Sequence, residues 1–214
     1  PAKLWNDTES AAQADALVGA TSAQAWADAC GSVPVAAFTV TKLAWLREHE
    51  PENYARVRQV LLPHDWLTYR LTGERVTDRG DASGTGYWSP SREAWAPELL
   101  ALVDADRDWA PMLPRVLGPS EPAGPIAPAV ADALGLGRNV VVGPGTGDNM
   151  AAALGIGLVS GDVAISLGTS GTVYAVADRP TADVSGCVAG FADASGRFLP
   201  LVCTLNAMKV SDLV

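Results

Sequence analysis

Cysteine and histidine are scarce in this chain, with three cysteines (Cys30, Cys187, Cys203) and two histidines (His49, His64) in 214 residues. The cysteines are odd in number, far apart and form no Cys-x-x-Cys pair, which argues against a disulfide framework or a zinc site and for a reduced, cytoplasmic setting. Basic residues are also few. Fifteen Lys and Arg stand against 24 Asp and Glu, a net charge of −9. Nucleic-acid phosphates need cationic side chains to displace their counterions, so no nucleic-acid partner is expected. No apolar run is long enough to span a bilayer and no charged-then-apolar leader opens the chain, so no membrane partner is expected either. No Gly-x-x-x-x-Gly-Lys-[Ser/Thr] run occurs, which removes a P-loop, and residues 143–147 do not match Gly-x-Gly-x-x-Gly, which removes a Rossmann site. Gly-x-Ser-x-Gly is absent too, and neither histidine has an evident route to Ser170, which leaves a serine hydrolase without support.

What is present suits an ordered α/β protein. Hydrophobic residues make up 48% and charged residues 18%, enough to bury a core in one large domain or two small ones. Alanine-rich residues 7–18 read as a helix. Ser22 can cap a second helix ending at Gly31, and Thr41 can cap a third over 42–49. Pro51 opens a short helix to 57, residues 60–62 suggest a strand, and 63–72 read as a helix stopped by Gly73. Residues 78–90 are small and polar and read as a loop or a strand with bends, and 94–103 as a helix. Six prolines between 111 and 128 make an extended connection. A helix over 129–134 and a buried strand over 139–142 lead into a glycine-rich turn. After Gly161 the texture changes to β-rich runs at 163–167, 172–176 and 198–202. A boundary near Ser160 divides the chain into 1–159 and 160–214, the second beginning as an antiparallel sheet.

Three constellations could carry chemistry. Gly143-Pro-Gly145-Thr-Gly147-Asp148-Asn149 delivers a carboxylate to a helix start. Glycines permit torsions that a Cβ resists, and the free N–H groups of a helix start favour an ionised carboxylate. Asp148 can then act as a general base toward a hydroxyl, with Asn149 reading a neighbouring one; the structural alternative is a helix cap. Gly168-Thr169-Ser170-Gly171 can offer backbone N–H groups and hydroxyls to phosphate, or be an ordinary β-turn. Trp5-Asn6-Asp7 can stack on a sugar and read its hydroxyls, or be a core Trp followed by a cap. His49 and His64, near the end of one helix and the start of another, read as structural or solvated.

Taken in order, Leu4-Trp5-Asn6-Asp7, Phe38-Thr-Val-Thr-Lys42-Leu-Ala-Trp-Leu46, Val60-Leu-Leu-Pro-His-Asp65-Trp-Leu-Thr-Tyr-Arg-Leu-Thr-Gly73, Thr77-Asp-Arg-Gly-Asp-Ala82-Ser-Gly-Thr85, Gly147-Asp148-Asn149 and Ser166-Leu-Gly168-Thr169-Ser170-Gly171 resemble the FGGY carbohydrate kinases. Within that family the chain is most similar to the branch acting on D-xylulose. The resemblance implies a ribonuclease H-like, two-domain kinase of the actin and hexokinase superfamily, with its active site in the cleft between domains. It implies ATP and Mg²⁺, transfer of phosphate to a terminal sugar hydroxyl, and D-xylulose 5-phosphate as product. A homodimer is compatible with it. It places the base on Asp148, sugar contacts on Trp5, Asn6, Asp7 and Asn149, a phosphate turn on Gly168, Thr169 and Ser170, and no metal ligand in this chain.

There are departures from the family pattern. Thr8-Glu9-Ser10 stands where an Arg usually follows Trp-Asn-Asp, and Ala37 precedes Phe38 where a Gly is usual. The family's Asp-x-Gly-Thr turn, its Met-His-Gly sugar contact and its adenosine site do not occur between Pro1 and Val214. The resemblance therefore implies the later part of the sugar-binding domain, residues 1–159, joined to the beginning of the ATP-binding domain. The alternatives are a kinase for another family substrate such as ribulose or glycerol, and a truncated, inactive sugar-binding or interaction module.

Overall fold

The structure, a computed structural model, describes residues 3–204, 206 and 207. The last residues of the expected second part, 208–214, lie outside the described residues. Alanine-rich sequence forms α1 (Ala11–Gly19) and α2 (Ala23–Cys30). The Ser22 hydroxyl accepts from Ala25 N at the start of α2, and Gly31 closes it at φ +79°, the left-handed cap that glycine adopts most readily. The first helix starts four residues later than its composition suggests. The Asp7 carboxylate instead accepts from Leu4 N, and the Ser10 hydroxyl turns inward to Thr41 and the Ala36 carbonyl.

Next come α3 (Thr39–His49), α4 (Pro51–Arg56) and α5 (Pro63–Thr72), the last ended by Gly73 at φ +84°. Thr41 does not cap α3. The cap position is Phe38, and the buried Thr41 hydroxyl donates back to the Phe38 carbonyl inside the first turn. Residues 60–62 form no strand; the Val60 N–H simply donates to the Met112 carbonyl.

Strand β1 (Val76–Asp78) runs directly into helix α6 (Arg79–Ser83), where a loop or a bent strand was expected. Asp78 caps α6 through its carboxylate, which accepts from Gly80 N and Asp81 N. A hairpin follows, β2 (Trp88–Ser89) against β3 (Ala94–Trp95), and α7 (Pro97–Val103) starts at its proline rather than at Ala94. The proline-rich stretch yields two short strands: β4 (Arg115–Leu117), parallel to β1, and β5 (Gly124–Pro125). Helix α8 (Pro128–Leu134) then leads to β6 (Val141–Val142), which pairs with β5. This strand is not the buried one expected. Its one partner among the described residues is a two-residue edge, and Val141 is 63% exposed.

Helix α9 (Asp148–Gly155) precedes an antiparallel sheet of β7 (Val163–Leu167), β8 (Gly171–Ala175), β9 (Ala189–Ala192) and β10 (Phe198–Thr204), in the order β7-β8-β10-β9. One core gathers Trp26, Val40 and Leu100 from the helices and Tyr87 from the segment before β2. A second joins Met150 and Ala153 of α9 to Tyr174, Leu199 and Leu201 of the sheet, so burial of apolar side chains fixes α9 on that sheet. Strand β9 also meets the helical part: Gly190 N donates to the Gly31 carbonyl and Ala192 N to the Ser83 hydroxyl. No helix among the described residues is long and apolar enough to cross a membrane.

Candidate functional site

The turn between β6 and α9 is shaped by two of its three glycines. Gly145 lies at φ +70°, and a Cβ there would stand 2.0 Å from His64 Nε2. At Gly147 a Cβ would stand 2.9 Å from Asp81 Oδ1 and 3.0 Å from Met150 Sδ. Gly143 has open space around it. The turn ends with Gly147 as the cap residue and Asp148 as the first residue of α9, exposed. Its Oδ1 accepts from Asn149 N at 2.7 Å and Asn149 Nδ2 at 2.9 Å. The other oxygen, Oδ2, makes no hydrogen bond among the described residues, so the carboxylate keeps a free face at the positive end of a helix dipole.

The second constellation is the turn between β7 and β8. Cys203 stands opposite Thr172 across β10 and β8. Burial first, and then the negative charge of Asp148, push the Cys203 thiol above its usual value. Thr172 lies beside the turn at which β7 runs into β8. That turn, 168–170, is exposed. The Gly168 N–H is spent on the Ser170 carbonyl at 2.9 Å, and the Thr169 carbonyl accepts from Ala207 N at 2.9 Å. The hydroxyls of Thr169 and Ser170 make no hydrogen bond among the described residues, which leaves them available as donors to an anion.

Trp5, Asn6 and Asp7 form an exposed turn near the start of the chain. Trp5 is 57% exposed rather than a core residue. The Asp7 N–H donates to the Leu4 carbonyl, and Lys42 Nζ donates to the Asp7 carbonyl at 3.2 Å. No hydrogen bond among the described residues joins this turn to Asp148 or to 168–170.

One cluster behind the site was not anticipated from the sequence. The Nδ1 of His64, at the start of α5, lies 2.9 Å from Asp81 Oδ2, 3.6 Å from Asp78 Oδ1 and 3.8 Å from Asp65 Oδ1. The hydrogen bond to Asp81 pushes the imidazole above its usual value, against the opposing effect of burial. Burial, and then Asp81, push the Asp78 carboxyl up. The Thr146 hydroxyl, in the glycine turn, donates to Asp78 Oδ2 at 2.9 Å. Contacts of this length between His64 and Asp81 are hydrogen bonds, and Asp78 is already committed to the α6 N-terminus, so the group reads as a bonded network rather than a metal cage. The available signal was Asp78 followed three residues later by Asp81, a helix-start pattern hidden by the surrounding small residues. A cleft of about 380 Å³ lies beside this network, lined by Asp78, Arg79, Pro144, Gly145, Thr146 and Asp193 among others. Ala151 and Leu154 of α9 line it as well, and Asp148 does not.

The mixed α/β architecture, with α9 laid on an antiparallel sheet and a carboxylate at its N-terminus, is the fold of sugar kinases in the actin and hexokinase superfamily. Residues 1–155 match the N-terminal domain of the FGGY family of carbohydrate kinases, and the chain belongs to that family. It is 55% identical to a xylulose kinase of Streptomyces coelicolor and 53% identical to one of Streptomyces rubiginosus, matching 100% of this chain and 44% of each relative. A crystal structure of xylulose kinase from Bifidobacterium adolescentis superposes with a TM-score of 0.86 at 41% identity, over 98% of this chain and 49% of that one. One from Brucella ovis gives 0.90 at 32% identity, over 98% and 43%. The chain thus spans less than half the length of these relatives.

Proposed function

We propose that the protein carrying this chain phosphorylates the terminal hydroxyl of D-xylulose with ATP, giving D-xylulose 5-phosphate and ADP. The observation that carries this reading is similarity to xylulose kinases over the whole chain, at 53–55% identity to the two Streptomyces proteins. The site is consistent with it. Asp148 takes the proton of the attacking hydroxyl on its free Oδ2, and the sugar oxygen forms a bond to the γ-phosphorus as the bond to the bridging oxygen of ADP breaks. Asn149, already bonded to Asp148, presents its amide oxygen toward the sugar. Thr169 and Ser170 donate hydroxyls to the phosphate chain beside Gly168. Trp5, Asn6 and Asp7 supply the apolar face and polar contacts of the sugar side. Mg²⁺ would neutralise charge on the phosphates, and no residue of this chain is assigned to it. Residues 1–159 would then serve as the sugar-binding part and 160–214 as the start of the ATP-binding part.

Replacing Asp148 with Ala in the full protein should lower kcat by roughly 10²–10⁴-fold, the range for a lost general base. ATP affinity should change little. ADP release assayed with D-xylulose, ribulose and glycerol identifies the sugar. Turnover of Asp148→Ala near the unmodified rate would remove Asp148 from the mechanism, and a higher kcat/KM for glycerol or ribulose would reassign the substrate.

A further inference from the structure

The carboxylate of Asp148 has no anchor of its own beyond its neighbour Asn149. Its position is set by the turn that precedes it, and that turn contains three glycines and one proline in five residues, a composition with little intrinsic preference for one conformation. Something outside the turn must select the conformation seen. Two contacts do so from two different helices. From α5, the His64 imidazole turns its Nε2 edge to Gly145, with Nε2 buried and without a hydrogen-bond partner, while its Nδ1 is bonded to Asp81 of α6. From the α6 cap, Asp78 receives the Thr146 hydroxyl at 2.9 Å while its carboxylate also holds Gly80 N at 2.7 Å. Asp81 closes the arrangement from below, because its Oδ1 fills the space a side chain on Gly147 would need.

We propose that His64, Asp78, Asp81 and Thr146 form a latch of positioning residues that holds the turn at 143–147 in one conformation and thereby aims the Asp148 carboxylate. This rests on Asp148 being the base. None of the four touches the reacting atoms. Their effect is geometric: a carboxylate displaced by about 1 Å from its hydroxyl can lose on the order of a hundredfold in rate. A latch of this kind acts on the chemical step while leaving the binding of either substrate largely intact, because the sugar and phosphate contacts proposed above fall on other residues.

Thr146→Val in the full protein removes the hydroxyl at nearly constant volume, and Thr146→Ser restores it. Thr146→Val should lower kcat by between about tenfold and a hundredfold with KM for D-xylulose and for ATP held within about twofold. Thr146→Ser should return kcat to within about threefold of the unmodified protein, a rescue that simple loss of packing would not give. His64→Leu, which removes the bond to Asp81, should reproduce the Thr146→Val pattern. Added to Asp148→Ala, Thr146→Val should cost no further activity, since a base that is absent cannot be misaimed. Loss of kcat in Asp148→Ala together with unchanged kcat in both Thr146→Val and His64→Leu would overturn the latch alone. A further tenfold loss from Thr146→Val in the Asp148→Ala background would show the turn acting on something else, and would overturn it too. Normal turnover by Asp148→Ala would instead overturn the base assignment, and the latch with it.

Discussion

Asp65 shows how a single buried carboxyl sets a pH dependence. It sits in the first turn of α5 with 1% of its surface exposed, where its Oδ2 accepts from Leu62 N at 2.8 Å. Burial pushes its carboxyl up from 3.8 to about 6, against the lowering pull of its hydrogen bonds and of His64. An acid raised on folding binds more protons in the folded chain than in the unfolded one between those two values, so stability falls as pH rises through that window. His64, raised by Asp81, contributes stability that is fully present below its unfolded value near 6.5 and is lost as pH rises through its folded value. Both groups therefore favour mildly acidic over alkaline conditions, in successive windows. Asp65→Asn keeps an oxygen for Leu62 N and removes the lower window. Its stability relative to the unmodified protein should shift in its favour between about pH 4 and pH 7, by at most ~3 kcal/mol. Denaturant unfolding of both proteins across that range measures the shift. A difference that does not change with pH would show that burial is not what raises Asp65.

At the scale of elements, punctuation was legible and reach was not. Ser22, Gly31, Gly73, Pro51 and Pro63 each mark a helix end where the structure has one, because caps and fixed φ angles act within a few residues. Ser22→Ala should therefore cost about 1 kcal/mol of stability by leaving the Ala25 N–H without its side-chain acceptor. Thermal unfolding checks it, and an unchanged Tm would mean that solvent replaces the cap at no cost. Thr41 misled for the same reason that Ser22 informed. Its hydroxyl is drawn inward to Phe38 and Ser10, a tertiary demand that outweighs a local preference for the cap. Helix α6 was hidden because only five residues long, it depends on Asp78 bonding its N-terminus rather than on any apolar period. The turn before Asp148 was legible as a glycine pattern. The network behind it was not, since His64 and Thr146 are 82 positions apart in sequence and meet only through the packing of α5, α6 and the turn.

At the scale of the whole molecule, the change in texture after Gly161 predicts a new unit, and β7 opens the antiparallel sheet at Val163. The two parts are nevertheless joined by a seam of backbone contacts. A Cβ on Gly190 of β9 would stand 2.3 Å from the Thr181 carbonyl oxygen and 2.5 Å from that of Gly31. Neither oxygen is the tip of a flexible side chain, so neither can swing away. Gly190 N bonds to both the Gly31 carbonyl and the Ser32 hydroxyl, and two residues on, the buried Ala192 packs with Ala82 and Trp88. Close approach of backbones, rather than turn geometry, is what requires glycine at 190. Because β9 pairs along β10, which in turn pairs with β8, this seam also links the helical part to the rest of the sheet. Gly190→Ala should force β9 away from Gly31 at a cost on the order of 3 kcal/mol, the upper range of overpacking in a close-packed interior. The loss should appear in denaturant unfolding of the full protein, with more rapid hydrogen exchange at Gly190 and Ala192 than elsewhere in the sheet. Gly196, between β9 and β10, serves as the control. It sits at φ +102° with the Pro119 ring 3.8 Å from where a Cβ would stand, so Gly196→Ala meets torsional strain but no backbone collision. It should destabilise less than Gly190→Ala and leave exchange along β9 unchanged. Equal losses from the two variants would mean that strain, not the seam, governs both.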